Sequence, residues 1–280
     1  MGRAVAGDMK GAPIGPPQNP GLRAVTGWLE QVGNPVLRLF EELGRFFQMM
    51  FLALWLAPRR PLDLGQWLKQ SVRVGWDSIP VVVLTCLFTG MVLALQTYHG
   101  FERFHAEGFV GSVVALSLTR ELAPVLTGLM VAGRVGSAMA AELGTMRVTE
   151  QIDALEAMAT DPVHYLVVPR VVAAVLMVPL LTLVGDAVGI FGGWLVSVAL
   201  FGANPYLYWE STFQFLEVND VVSGVVKAAF FGLFLSATGC AKGFWTSGGA
   251  EGVGRATTAA VVTGSLYILL SDFFLTKLLF

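Results

Sequence analysis

Five charged side chains stand inside apolar stretches of this 280-residue chain: Arg120, Glu121, Asp186, Lys227 and Asp272. A charge facing lipid costs ~3 kcal/mol or more, so each must face a polar interior, a cavity or another charge. Arg120 or Lys227 can pair with Glu121, Asp186 or Asp272. Three kinds of chemistry are open to such a set: structural ion pairing between helices, holding a polar headgroup in a cavity, or relaying a proton. No histidine assists a relay, because His99, His105 and His164 all fall outside the apolar stretches. Covalent catalysis finds no foothold. There is no Ser-His-Asp grouping, no metal-ligand cluster and no G-x-x-x-x-G-K-[ST] loop to cradle ATP phosphates. No catalytic and no metal-binding residue is therefore assigned, and any ATP must be handled by another polypeptide. Cys86 and Cys240 lie in apolar segments without metal or disulfide spacing and read as packing residues.

The elements that position these charges are membrane helices. With 55% hydrophobic and 14% charged residues and a mean hydropathy of +0.66, the chain is too apolar for a soluble domain. A net charge of −2 leaves no concentrated basic face for nucleic acid. The expected fold is an all-α polytopic membrane protein: an interfacial amphipathic helix, about five transmembrane helices, and a cytoplasmic helix between the second and third. Residues 1–34, with PIGPPQNPG near their centre, read as a disordered tail. Residues 35–57 form the interfacial helix, whose apolar run is too short to cross a bilayer. The spans are Ile79 to Tyr98, Val110 to Val131, Tyr165 to Phe201, Val221 to Phe244 and Thr257 to Leu279. Tyr165 to Phe201 exceeds one span, and Pro169 and Pro179 favour an interfacial first turn and a kink over two spans. Gly202 to Asp220 reads as an aromatic-rich loop at the membrane surface, and TSGGAEGVGR as a glycine-rich turn.

Small residues set the packing. Ala132, Gly136, Ala140 and Gly144 recur every four positions, as do Gly185, Gly189, Gly193 and Ser197, so each column offers one helix face to a close neighbour. From Thr149 to Thr160 the pattern turns amphipathic: Ile152, Leu155 and Ala159 form an apolar stripe, while Glu150, Asp153 and Glu156 face elsewhere. Asp161-Pro162 stops this helix. With the N-terminus placed in the cytoplasm, 14 Lys and Arg residues fall inside and 2 outside, which puts the amphipathic helix in the cytoplasm.

The stretch AGRVGSAMAAELGTMRVTEQIDALEAMATDP, residues 132–162, resembles the signature segment of the MlaE-type permeases, membrane subunits of ABC transporters that move phospholipids between the membranes of diderm bacteria and plastids. The resemblance continues through GMVLALQTY, SLTRELAPVL, GIFGGWLV, GRATTAAVV and SDFFLT, so a permease domain is expected over residues 72–280. It implies a homodimer in the inner membrane with a lipid-accepting cavity between the copies. Gln96 and Tyr98 would sit at the cavity mouth, and Arg120, Glu121, Lys227 and Asp272 would set its polar interior or brace its walls. A separate ABC ATPase, which binds the ATP, would be docked by Glu150, Ile152, Asp153, Leu155, Glu156 and Met158, with Ile152 and Leu155 as apolar anchors. An MCE-domain periplasmic lipid-binding protein would meet the outer face, and the resemblance leaves room for a small STAS-type regulatory subunit. The competing function is an ion- or proton-coupled secondary carrier using the intramembrane carboxylates; a scaffold that only anchors partners is a third.

Overall fold

The computed structural model describes residues 37, 40–59 and 63–279; the expected N-terminal tail lies outside them. The chain divides into two units, Met1–Arg45 and Phe46–Phe280. In the first, residues 40–45 are helical and Arg45 pairs with Glu41 one turn earlier. In the second, residues 46–56 are helical (α1). Phe46, Met49, Ala53 and Leu56 are buried, the three- and four-residue spacing of one helix face. Phe46 packs on Phe234 and Tyr267, while Phe47, Phe51, Leu54 and Trp55 stay exposed. Within this unit, α1, the later part of the helix expected at 35–57, thus has one apolar face on the bundle and a second facing outward.

Eight further helices follow: α2 (Leu64–Val74), α3 (Ile79–Glu102), α4 (Glu107–Val148), α5 (Gln151–Ala157), α6 (Val163–Ala199), α7 (Pro205–Phe215), α8 (Val218–Phe244) and α9 (Gly249–Leu279). No strand occurs among the described residues. Five stretches are long and apolar enough to cross a membrane: α2 with α3, α4, α6, α8 and α9. The span of 42 residues in α4 and that of 37 in α6 are nearly twice the ~20 residues that cross hydrocarbon, so their ends stand clear of it. Tyr165 to Phe201 is one span, as expected: α6 opens on a wide π-helical turn at Val163–Val167 and then runs unbroken through Pro179 to Ala199.

Two expected connections are instead helical. Residues 205–215, read as an aromatic loop, form α7. Asn204 caps it by accepting from the Tyr206 amide at 2.9 Å, and Pro205 fills the first position, where a missing amide costs nothing. The aromatic count masked this Asn-Pro start. Tyr208 turns inward and donates to the Ile190 carbonyl at 3.1 Å, and burial holds its phenol proton well above the usual range. The last span likewise begins at Gly249, eight residues before the expected Thr257, because only Gly248 and Gly249 take left-handed backbone there and the chain beyond them is free to coil.

The small-residue columns pack helices within this one chain. A methyl group added at Gly239 would come 2.8 Å from the Gly136 carbonyl oxygen, and one at Gly243 2.8 Å from that of Ala140. Gly144 lies against Thr246 and Val253. The second column seats α6 on α3: Gly185 faces the Cys86 sulfur, Gly189 meets Gly90 backbone to backbone, and Gly193 meets Tyr208 and Val114. Both columns therefore have partners without a second copy of the chain.

Candidate functional site

The four intramembrane charges of α4, α8 and α9 come together. Arg120 and Glu121 sit in a π-helical turn, Leu118–Leu122, that interrupts α4. Such turns hold one residue more than an α-turn and redirect the side chains that follow. Here adjacent residues reach different partners. Arg120 Nε donates to Asp220 Oδ1 at 2.7 Å, while Glu121 turns to Lys227. Asp220 and Lys227 are seven residues apart on α8, two turns along one face, so one helix answers both.

Lys227 is the centre of the set. It is wholly buried, and its Nζ donates to Glu121 Oε2 at 2.7 Å, Thr276 Oγ1 at 2.8 Å and the Arg120 carbonyl at 2.9 Å. Asp272 Oδ1 stands 3.4 Å away as a second counter-charge. Three donors and three acceptors saturate the ammonium. Thr276, one turn beyond Asp272 on α9, accepts from Lys227 and directs its own proton to Glu121 or the Asp272 carbonyl. The arrangement has one carboxylate in excess, since two face a single ammonium. Glu121, Asp272 and Thr276 also line a cavity of about 370 Å³, where Lys277 brings a second cation and Leu269 and Phe273 form the apolar walls. A polar floor with apolar walls holds an amphiphile by its head.

Not every candidate joins this set. Tyr98 is stacked on Phe201 at 4.0 Å and belongs to a separate apolar cluster with Val114 and Tyr208. Gln96 is exposed on α3, and neither residue lines the cavity at Glu121. Asp186 is also apart, buried in α6 with neither carboxylate oxygen hydrogen-bonded among the described residues. Sequence reasoning missed Asp220, read as a loop end, and Thr276. The signals were there: Asp220 stands two turns before Lys227, and Thr276 one turn after Asp272.

The second candidate site is α5. Glu150, just before it, takes left-handed backbone (φ 60°), which turns the chain sharply away from α4. Arg147 and Asp153 pair across that turn at 2.5 Å. At the far end the Thr160 amide bonds the Leu155 carbonyl and the Ala159 amide that of Glu156, the paired closure that favours left-handed backbone at its centre. Ala159 holds it at φ 56°. Ala159→Gly is expected to raise the thermal midpoint, because a left-handed alanine costs ~1 kcal/mol that glycine does not; an unchanged or lower midpoint contradicts this.

The structure corrects the orientation of α5. Ile152, expected as an anchor for a partner, is wholly buried in the core of this chain, and Leu155 packs half-buried beside it. The inward face of an amphipathic helix is filled by its own protein here. Glu150, Asp153, Glu156 and Met158 remain outside, with Met158 67% exposed. Ile152 and Leu155 thus fasten α5 to the bundle, leaving an acidic face with one large apolar side chain to the solvent.

Known proteins with this arrangement of sequence agree on one family. The family model described as Permease MlaE matches residues 67–278. A probable ABC transporter permease protein of Rickettsia typhi is 49% identical over 249 residues, 89% of this chain and 96% of the relative. The intermembrane phospholipid transport system permease protein MlaE of Haemophilus influenzae is 38% identical over 257 residues, 91% of this chain and 98% of the relative. A plant relative, the chloroplastic protein trigalactosyldiacylglycerol 1 of Arabidopsis thaliana, is 42% identical over 213 residues, 76% of this chain and 61% of the relative. Matched along most of its length, this all-α polytopic membrane chain belongs to the MlaE permease family of ABC transporter permeases.

Proposed function

We propose that this chain is the permease subunit that passes phospholipids between the inner and outer membranes, driven by a separate ATPase. The observation that carries the reading is the cavity at Glu121, Asp272 and Thr276, where a charged and hydrogen-bonding floor, with Lys277 beside it, meets the apolar walls Leu269 and Phe273. A headgroup finds hydrogen-bonding partners there and acyl chains find side chains of their own kind. The Haemophilus relative, whose name places it in an intermembrane phospholipid transport system, aligns over nearly its whole length. The chain works in the inner membrane as a homodimer with its N-terminus in the cytoplasm. Its α9 supports the dimer: Leu266, Leu269, Leu270, Phe273 and Phe274 are each half or more exposed beside the cavity, so a second copy would close it. An MCE-domain protein receives the lipid on the outer side, and a STAS-type subunit completes the assembly. The permease domain covers residues 72–280.

The acidic outer face of α5 supports docking of the ATPase, with Met158 as the apolar contact and Glu150, Asp153 and Glu156 selecting a basic rim. Purification of the tagged chain from native membranes in mild detergent is expected to bring a P-loop ATPase with it. Met158→Asp combined with Glu156→Lys changes only exposed positions and is expected to lower the co-purified ATPase at least fivefold with the thermal midpoint unchanged. Ile152→Asp is not a clean probe, because it places a charge in the core. A chain that arrives without an ATPase even after cross-linking sinks the reading.

A further inference from the structure

A second groove, sharing no residue with the Lys227 set, lies between α2 and the facing ends of α4 and α6, and encloses about 610 Å³. On its outer edge α2 carries Leu64, Leu68 and Val72 at four-residue spacing, with Trp76 continuing the row in the short turn before α3. Their exposures are 69, 56, 51 and 72%. An exposed apolar row leading directly into a membrane span has acyl chains as its fitting neighbour.

The groove beside that row is cationic. Lys69, Arg73 and Arg170 line it, with the Gln70 amide and Tyr165, and no carboxylate is among its lining residues. The nearest acid, Glu142, holds two guanidinium groups at once: Arg73 Nη1 at 2.6 Å and Arg170 Nη2 at 2.9 Å. One negative charge therefore orients two of three positive charges, and the groove keeps a surplus of two. Arg170 is only 5% exposed, yet its Nε has no acceptor among the described residues. A buried charged donor left unmatched is costly, and an incoming anionic oxygen would relieve it.

We propose that this groove holds the phosphate of an anionic glycerophospholipid drawn from the leaflet on the α5 side, with the acyl chains along Leu68 and Val72. Guanidinium groups match phosphate oxygens in pairs. A zwitterionic lipid brings an ammonium that the surplus charge repels. The site is independent of which lipid is transported, since it shares no residue with the cavity at Glu121.

The test uses the full chain in detergent, with equal amounts of phosphatidylglycerol and phosphatidylcholine added, read by native mass spectrometry. The wild type is expected to retain phosphatidylglycerol at least fivefold over phosphatidylcholine. Lys69→Glu, an exposed position that the fold does not need, is expected to cut retained phosphatidylglycerol at least fivefold and leave phosphatidylcholine unchanged. Arg255→Glu, an exposed cation outside the groove, is expected to change neither. Equal retention of the two lipids by the wild type, or full phosphatidylglycerol retention by Lys69→Glu, overturns the proposal. Displacement of the lipid by excess glycerol 3-phosphate overturns it too, because the site would then take a soluble phosphate ester; no displacement is expected.

Discussion

Replacing Lys227 by methionine is expected to leave little folded protein. Methionine fills much of the same volume but removes the ammonium that pairs with both Glu121 and Asp272, and it leaves the Arg120 carbonyl and Thr276 without the Lys227 donor. Breaking a buried pair by removing one member costs ~3–5 kcal/mol, much of a domain's net stability. The measurement is the thermal midpoint and the monodisperse yield in detergent. Two further changes separate bracing from lipid handling. With Glu121→Gln and Asp272→Asn added, no stranded charge remains, so the midpoint is expected to recover most of its loss. Lipid transfer in a reconstituted system is expected to stay at least tenfold down, because the cavity floor has lost its charge. Wild-type transfer by the triple variant would falsify a role for these charges in handling lipid and leave them as braces alone.

Gly90→Val is expected to be as damaging, for a different reason. A side chain at Gly90 would fall on the Gly189 carbonyl oxygen, so the obstacle is backbone and no rotamer change clears it. Overpacking where side chains can shift costs ~1–3 kcal/mol; here α3 and α6 must part along their whole contact, which takes the cost to the upper end or past it. The comparison is Gly133→Ala, where nothing lies within 4 Å and helix propensity favours alanine by ~1 kcal/mol. Size-exclusion profiles and thermal midpoints of the two variants should move in opposite directions. A Gly90→Val protein that elutes and melts like the wild type would mean that α3 and α6 do not meet at this point.

The contrast shows what was legible in the residues alone. Spans, the intramembrane charges and the amphipathic helix follow from hydropathy, and the five spans are where the apolar runs place them. Periodicity also marks which glycines share a face. It does not say which neighbour that face meets: on α8 the column Gly224, Ala228, Gly232 and Ser236 sets Gly224 against the α4 backbone and Gly232 against that of α6, as Gly90 on α3 meets α6. Ile152 illustrates the same limit on α5: an apolar stripe says that a partner exists, and only the fold shows that the partner is the chain itself. Lys227 could have paired with any of three acids. Its choice of Glu121 and Asp272 over Asp186 is decided by tertiary packing, which brings α4, α8 and α9 together and leaves α6 on the other side.

The wide turns at Leu118–Leu122, Ala132–Gly136 and Val163–Val167 act as phase shifts. Each inserts one residue into an otherwise regular coil and so rotates everything beyond it by about 100° relative to an uninterrupted helix. A single wheel drawn for α4 would scatter residues that share a face; three short wheels in succession keep them together. The same arithmetic applies to evolutionary change. A deletion of one residue inside any of these turns would produce a more regular helix and a misassembled protein, whereas substitutions there are judged only by size and charge. Length in these segments is therefore constrained separately from composition.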